Sequence, residues 1–481
     1  MIHSFLPIFA AAAVTSLSVQ AKPNVLFVVC DDLNTHVSTS GYEPILTPNL
    51  SKLAKESMTF NRAFCQYPVC GPSRASFLSG LYPQASRVLN NTLDIRTTRP
   101  GTISMPQFFK ENGYWTAGVG KVFHNSKSDH GEIAWNESIR FENDELAVVR
   151  EARLKFEAEH GSIDKQPNKR KWKELKRKVS GKLDAQTPPG RGRSGLTDAQ
   201  HKDGKNARQV VRWLEEKSHG DKPFFIACGL QKPHVPFLAP DKYFDLYPLD
   251  KITYETDRPN LWDFLPASAI SKRYGAFGFE LGKENHPLRR EYMQAYHACV
   301  SFIDAQLGLV LDALKKNGLW EETVVVFTSD HGYHLGEHDL WQKVSIHEES
   351  AKVPLIICVP GKKPAVCNSL TELIDLYPTV SKLCGLKIPG NIQGKDISTM
   401  LDDPTFKVRK AALSSGKGRL LRTEKWAYLD YGKTGELYDM EKDPKQYTNL
   451  IKDPKYAMIL NQLKDQLKSK LNSIDQNDLD R

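Results

Sequence analysis

Cysteine is scarce, with eight in 481 residues, too few and too scattered for a disulfide scaffold. Cys30, Cys228 and Cys299 lie in apolar strand-like or helix-like segments and read as buried thiols. Cys358, Cys367 and Cys384 are close enough in sequence for one bridge to form in an oxidising compartment. Long hydrophobic runs are also lacking: beyond the N-terminus no stretch approaches the roughly 18 apolar residues that span a bilayer, so no membrane-spanning helix is expected. No internal repeat is present, which excludes a solenoid. The formal charge is +9, yet no nucleic-acid-binding motif accompanies it, so a nucleic-acid partner is not expected.

Residues 1–21 combine a short polar start containing His3, an apolar run from Phe5 through Val14 to Val19, and the small-residue site Val19-Gln20-Ala21. That pattern predicts a secretory signal peptide and a secreted or periplasmic protein. The remaining length suits a large α/β domain, 22–405, followed by a smaller α+β one, 406–481. A dense basic run from Lys165 to Arg193, including Lys169-Arg170-Lys171, fits either a polyanionic partner or a solvated loop.

Four apolar runs of strand length punctuate the chain: Val25–Cys30, Pro223–Cys228, Thr323–Thr328 and Pro354–Val359. Continuous apolarity is the mark of strands buried on both faces. Amphipathic helices are expected between them, at Thr47–Met58, Met105–Gly113, Asp198–Lys217, Tyr296–Leu314 and Leu373–Leu383, with a short strand at Tyr114–Gly120. This alternation predicts a large, mostly parallel sheet covered by helices on both faces. The stretch 125–197 reads as loop-rich, and 240–285 as an insertion over a site. After Phe406 the spacing shortens to small strands, Ala411–Leu413, Trp426–Leu429 and Glu436–Asp439, and a closing helix, the pattern of a short antiparallel sheet.

Polar groups of complementary kinds close three of these strands: Asp31-Asp32, His234 and Asp330-His331. Parallel strands bring their carboxyl ends to one side of a sheet, so these distant positions converge there. Asp31, Asp32 and Asp330 are hard oxygen donors suited to calcium, with magnesium the second choice. Cys70-Gly71-Pro72-Ser73-Arg74 is built like the mouth of a helix, with proline pre-set for the first turn and Arg74 adding a guanidinium fork for an anion. In isolation Cys70 reads equally as a small buried thiol, Asp31-Asp32 as a solvated turn or cap, and Asp330-His331-Gly332 as a turn.

The Cys70–Arg74 stretch, with Ser79-Gly80 downstream, resembles the signature of the type I sulfatases. Gly120-Lys121-Val122-Phe123-His124, Gln231-Lys232-Pro233-His234, Thr328-Ser329-Asp330-His331-Gly332, Leu335-Gly336-Glu337-His338 and Trp341-Gln342-Lys343 extend the likeness over nearly all of the chain. The spacing of His124, three residues after Lys121, is that of the iduronate-2-sulfatase-like branch. Glu436-Leu437-Tyr438-Asp439 with Asp443-Pro444 is also similar to sulfatases.

The resemblance implies an alkaline-phosphatase-like sandwich plus the small C-terminal α+β unit. It implies a formylglycine made from Cys70 by a formylglycine-generating enzyme, a divalent metal held by Asp31, Asp32, residue 70, Asp330 and His331, and Arg74, Lys121, His124, His234 and Lys343 as catalytic groups. His334 and His347 are candidate substrate contacts; His338 reads as structural. The implied substrate is a sulfated carbohydrate, with the 2-position of a uronic acid favoured. The rivals are a phosphomonoester or phosphodiester hydrolase of the same superfamily and a non-catalytic binder of sulfated glycans.

Overall fold

The computed structural model describes residues 22–124, 130–142, 144, 147–179, 190–253, 265–266, 269 and 286–476. The expected signal peptide, and most of the expected insertion 240–285, lie outside them.

One large sheet carries the fold. Its strands run, in order across the sheet, Ala365–Cys367, Met58–Phe64, Lys352–Cys358, Thr323–Ser329, Asn24–Asp31, Phe224–Pro233, Trp115–Gly120 and Glu137–Ile139, with Thr371–Glu372 also on Met58–Phe64. The central strand Asn24–Asp31 shows why both faces are covered. Leu26, Val28 and Cys30 enter one apolar cluster and Val25, Phe27 and Val29 another, as the two-residue period of a strand requires. The first cluster packs under the helices Lys202–Glu215 and His286–Lys316, and the second under Cys70–Ser79 and Leu376–Leu383.

Several expectations need correction. The helix expected over Thr47–Met58 stops at Ala54, and Met58–Phe64 is a strand; its inner Asn61 and Arg62 interrupt the apolar run that marks the other strands. Thr47, just before that helix, accepts from Ser38 N through its Oγ1. Lys352–Cys358 pairs antiparallel with both neighbours, because burial on both faces yields the same apolar run in either direction. The stretch expected to be loop-rich contains the helices Ala147–His160 and Asn168–Val179. Pro287–Lys316 is long and apolar enough to cross a membrane, contrary to the reading of the sequence, but its most apolar window is 83% buried inside the protein. All eight cysteines are buried free thiols, so the possible bridge among Cys358, Cys367 and Cys384 does not form.

A second sheet, antiparallel, orders Ala411–Ser415, Arg419–Thr423, Trp426–Asp430 and Gly435–Asp439 and is followed by the helix Ala457–Gln476. Its apolar faces are not self-sufficient. One packs with Phe64, Ile346, Ala351 and Leu370, and the other with Tyr82 and Ile374.

Candidate active site

The three parallel strands Asn24–Asp31, Phe224–Pro233 and Thr323–Ser329 end side by side, as register pairs Val29↔Gly229 and Cys30↔Ser329 show. Their carboxyl ends therefore deliver Asp31-Asp32, the Lys232–His234 turn and Asp330-His331 to one place. The neighbouring strand reaches it through Gly120, whose φ of 75° and whose approach to the Gly229 carbonyl, 2.2 Å from where a Cβ would sit, leave no room for a side chain. Lys121 follows directly.

Cys70 is the first residue of the helix Cys70–Ser79 and is 1% exposed. Its Sγ lies 3.3 Å from Asp31 Oδ1, 3.3 Å from His331 Nε2 and 3.7 Å from Lys343 Nζ, and His124 stands beside it. Burial opposes the thiolate, yet Lys121, Lys343 and His331 hold the thiol well below its ordinary value. The helix mouth is not left open as the sequence suggests: Gly71 N donates to Asn91 Oδ1 at 2.8 Å.

Opposite charges pair tightly around the thiol. Lys343 Nζ donates to both oxygens of Asp32, at 2.6 and 2.9 Å, and Lys121 Nζ to Asp31 Oδ2. Burial raises the Asp31 carboxyl, but Lys121, His234 and Arg74 outweigh it and hold that group below the usual carboxylate range. For Asp330 burial prevails over Arg74 and His331 and pushes the carboxyl up to about 7. Burial works against the His331 cation, yet Asp330, Cys70 and Asp32 carry it up to about 9.

Arg74 is directed differently from the sequence reading. Its Nε donates to Asp330 Oδ2 at 2.8 Å, its Nη1 to the carbonyls of Lys121 and Val122, and its Nη2 to the Cys30 carbonyl at 3.1 Å. At 1% exposure it braces the carboxylates and the backbone that carries Lys121. His234 points Nδ1 at the Val235 carbonyl, 2.6 Å away, and Nε2 at Asp32 Oδ2, 3.9 Å away, with its side chain 20% exposed. His334 and His347 are both fully buried, His334 Nε2 on Ser345 Oγ at 2.6 Å and His347 Nε2 on Glu436 Oε2 at 2.9 Å.

Sequence reasoning missed three supporting groups. Asp203 accepts from the backbone N–H of Gln231 and of Lys232, both at 2.8 Å, and so shapes the turn before His234. Tyr296, an apolar position on its helix face, donates its hydroxyl to the Asp32 carbonyl at 2.8 Å and accepts from Asn34 N. Ser73 donates to the Asp330 carbonyl. Asp203 and Tyr296 carry no local signal; Ser73 lies inside the Cys70–Arg74 motif, but its partner is 257 positions away.

Asp31, Asp32, Cys70 and His331 each offer one ligand atom, all within 4.8 Å of one another. Asp330 Oδ1 stands 3.7 Å from His331 Nε2 beside them. Three fully buried carboxylates and an imidazole make a donor set that fits a hard divalent cation.

The Sulfatase family profile matches residues 23–386. The chain belongs to the sulfatase family. A second profile, described as N-sulphoglucosamine sulphohydrolase, C-terminal, matches residues 336–473 of the sulfatase. A sulfatase of Formosa agariphila is 32% identical to it over 92% of this chain and 86% of its own. Human iduronate 2-sulfatase is 32% identical over 76% of this chain and 70% of its own, and choline-sulfatase of Rhizobium meliloti 28% identical over 90% and 83%. Among solved structures, a phosphonate monoester hydrolase of Agrobacterium radiobacter superposes with a TM-score of 0.74 at 22% identity, covering 95% of this chain and 96% of that one. A 2-O GAG sulfatase superposes with a TM-score of 0.71 at 23% identity, covering 94% and 93%. The fold is therefore the alkaline-phosphatase-like sandwich that the resemblance implies, and the sulfatase is a sulfuric ester hydrolase.

Proposed function

We propose that this sulfatase is exported by its N-terminal segment and removes sulfate from a sulfated carbohydrate, with a 2-O-sulfated uronic acid as the first candidate. The observation that carries the reading is the convergence on Cys70 of Asp31, His331, Lys343 and His124. The 32% identity to proteins named iduronate 2-sulfatase supports the choice of sugar.

Residue 70 acts as formylglycine, made from the cysteine, and its hydrated aldehyde is the nucleophile. Asp31, Asp32, Asp330 and His331, with residue 70, would hold a calcium ion, which would supply concentrated positive charge for the sulfate oxygens. The chain's own side chains do the rest. Lys121 and Lys343, now paired with Asp31 and Asp32, turn part of their charge toward the anionic ester and its transition state. Arg74 holds the Asp330 carboxyl in place through its Nε. One hydroxyl of residue 70 gives its proton to the adjacent Asp31 carboxylate and bonds to sulfur as the sulfur–oxygen bond to the sugar breaks, and the departing alkoxide takes a proton from Nε2 of His234, whose Nδ1 is committed to the Val235 carbonyl. His124, which stands beside residue 70, accepts the proton released there when the bound sulfate is expelled.

The test is a panel of defined sulfated mono- and disaccharides, assayed beside phosphate esters of the same sugars and with mass mapping of the residue-70 peptide. Release of sulfate from a 2-O-sulfated uronic acid by protein carrying the aldehyde is expected. Faster phosphate release would overturn the reading in favour of a phosphoester hydrolase; binding without turnover in fully converted protein would favour a glycan binder.

A further inference from the structure

The basic run of the sequence stands apart from the catalytic cluster. Its core is the helix Asn168–Val179, which holds seven Lys and Arg against one Glu in twelve residues. Six net charges of a chain total of +9 thus sit on a helix about 18 Å long. The helix has a fixed orientation. Trp172 is buried with Val149 and Phe156 of the helix Ala147–His160, and Leu175 and Val179 pack against the same cluster. At 100° per residue, Arg170, Lys173 and Arg177 lie opposite that face. Lys169 and Lys176 flank them on one side, Lys171 and Lys178 on the other, and all seven cations are exposed.

The chain enters and leaves this pair of helices near the carboxyl ends of the strands. The edge strand Glu137–Ile139 runs parallel to Trp115–Gly120, so the chain leaves it toward the carboxyl ends where the site is built. After the two helices it returns as Arg191–Arg193, parallel to Phe237–Ala239, and the Gly190 carbonyl accepts from Phe237 N at 2.9 Å, three residues beyond His234.

We propose that the exposed face of Asn168–Val179 is a secondary binding surface for a sulfated polysaccharide, holding the polymer outside the catalytic pocket. A row of cations fixed on one rigid helix matches a partner that carries sulfates at intervals along a chain, and Arg pairs them in two-pronged fashion. This rests on the reading of the substrate as a sulfated carbohydrate and extends it from one sugar to a polymer.

The experiment compares the full-length enzyme with a variant combining Lys169→Gln, Arg170→Gln, Lys173→Gln and Arg177→Gln, which leaves the buried face intact. A control removes four exposed lysines elsewhere, Lys452, Lys455, Lys464 and Lys468, to give the same net charge. Retention on immobilised heparin is expected to fall for the helix variant and to stay near wild type for the control. With a sulfated oligosaccharide that the enzyme turns over, kcat/KM should fall about tenfold at low salt through KM, and the gap should close as salt rises, as screening of exposed charge predicts. Turnover of a small sulfate ester should be unchanged. Equal retention of the helix variant and wild type, equal losses for helix variant and control, or tighter binding to duplex DNA than to heparin would each overturn the proposal. If wild type releases sulfate from no sugar, the proposed function fails while heparin retention still decides the surface.

Discussion

The donors of Arg74 all end on protein groups, on Asp330 and on the carbonyls of Cys30, Lys121 and Val122. Arg74→Gln removes the only guanidinium that the structure sets against Asp330 among the described residues, and breaking a buried ion pair typically costs about 3–5 kcal/mol. Urea unfolding should show that loss, and a midpoint equal to wild type would sink the bracing role. Lys343 makes a different case, since its ammonium meets both the Asp32 carboxylate and the edge of the thiol. Lys343→Ala should lower kcat/KM for a sulfate ester by about 10²–10³, the usual cost of losing one group that stabilises transition-state charge. Unchanged turnover would remove Lys343 from the mechanism. Both residues could be named from sequence because each sits inside a compact local motif. What the sequence could not supply is direction: the fork of Arg74 faces the backbone, and His334 and His347, though close in sequence to His331, turn into the interior.

At the scale of elements, the segment that carries Lys343 is held by the small antiparallel sheet. His347 meets Glu436, Arg422 Nε donates to Glu348 Oε1 at 2.5 Å, and Glu348 N donates to Gln446 Oε1 at 2.9 Å. Burial lowers the affinity of His347 for its proton, but Glu436 more than restores it, so the group lies above its ordinary 6.5. Burial raises the Glu436 carboxyl and His347 outweighs it, so that group lies below its ordinary 4.5. The histidine's contribution is complete below 6.5 and is lost as pH climbs through its raised pKa. The glutamate's is complete above 4.5 and is lost as pH falls through its depressed one. The difference in Tm between wild type and Glu436→Gln should therefore be largest between pH 4.5 and 6.5 and shrink on either side. A difference that does not vary with pH would show that the pair is not ionised. The strands that build the site were legible because each is an apolar run closed by polar residues. This clamp was not, because it joins positions 89 residues apart through one exchange of a proton donor and an acceptor. Met58–Phe64 escaped for a related reason, since the half-buried Asn61 and Arg62 split its apolar run.

For the whole molecule the site is also a store of buried charge. Asp31, Asp32 and Asp330 are fully buried at the end of the central sheet, and the cations that face them, Arg74, Lys121 and Lys343, come from separate segments of the chain. A divalent ion held by these carboxylates would tie the ends of the strands Asn24–Asp31 and Thr323–Ser329 together, so its binding is coupled to folding. An ion that binds only the folded protein adds stability as RT ln(1 + [L]/Kd), about 2.7 kcal/mol at a hundredfold excess over Kd. Exhaustive chelation should lower Tm and abolish sulfate release together, and calcium should restore both. Restoration by magnesium alone would replace calcium with the smaller ion, which demands near-octahedral geometry and keeps several waters. If Tm and turnover both survive chelation, the lysines suffice to neutralise the carboxylates and the metal has no part in either folding or catalysis.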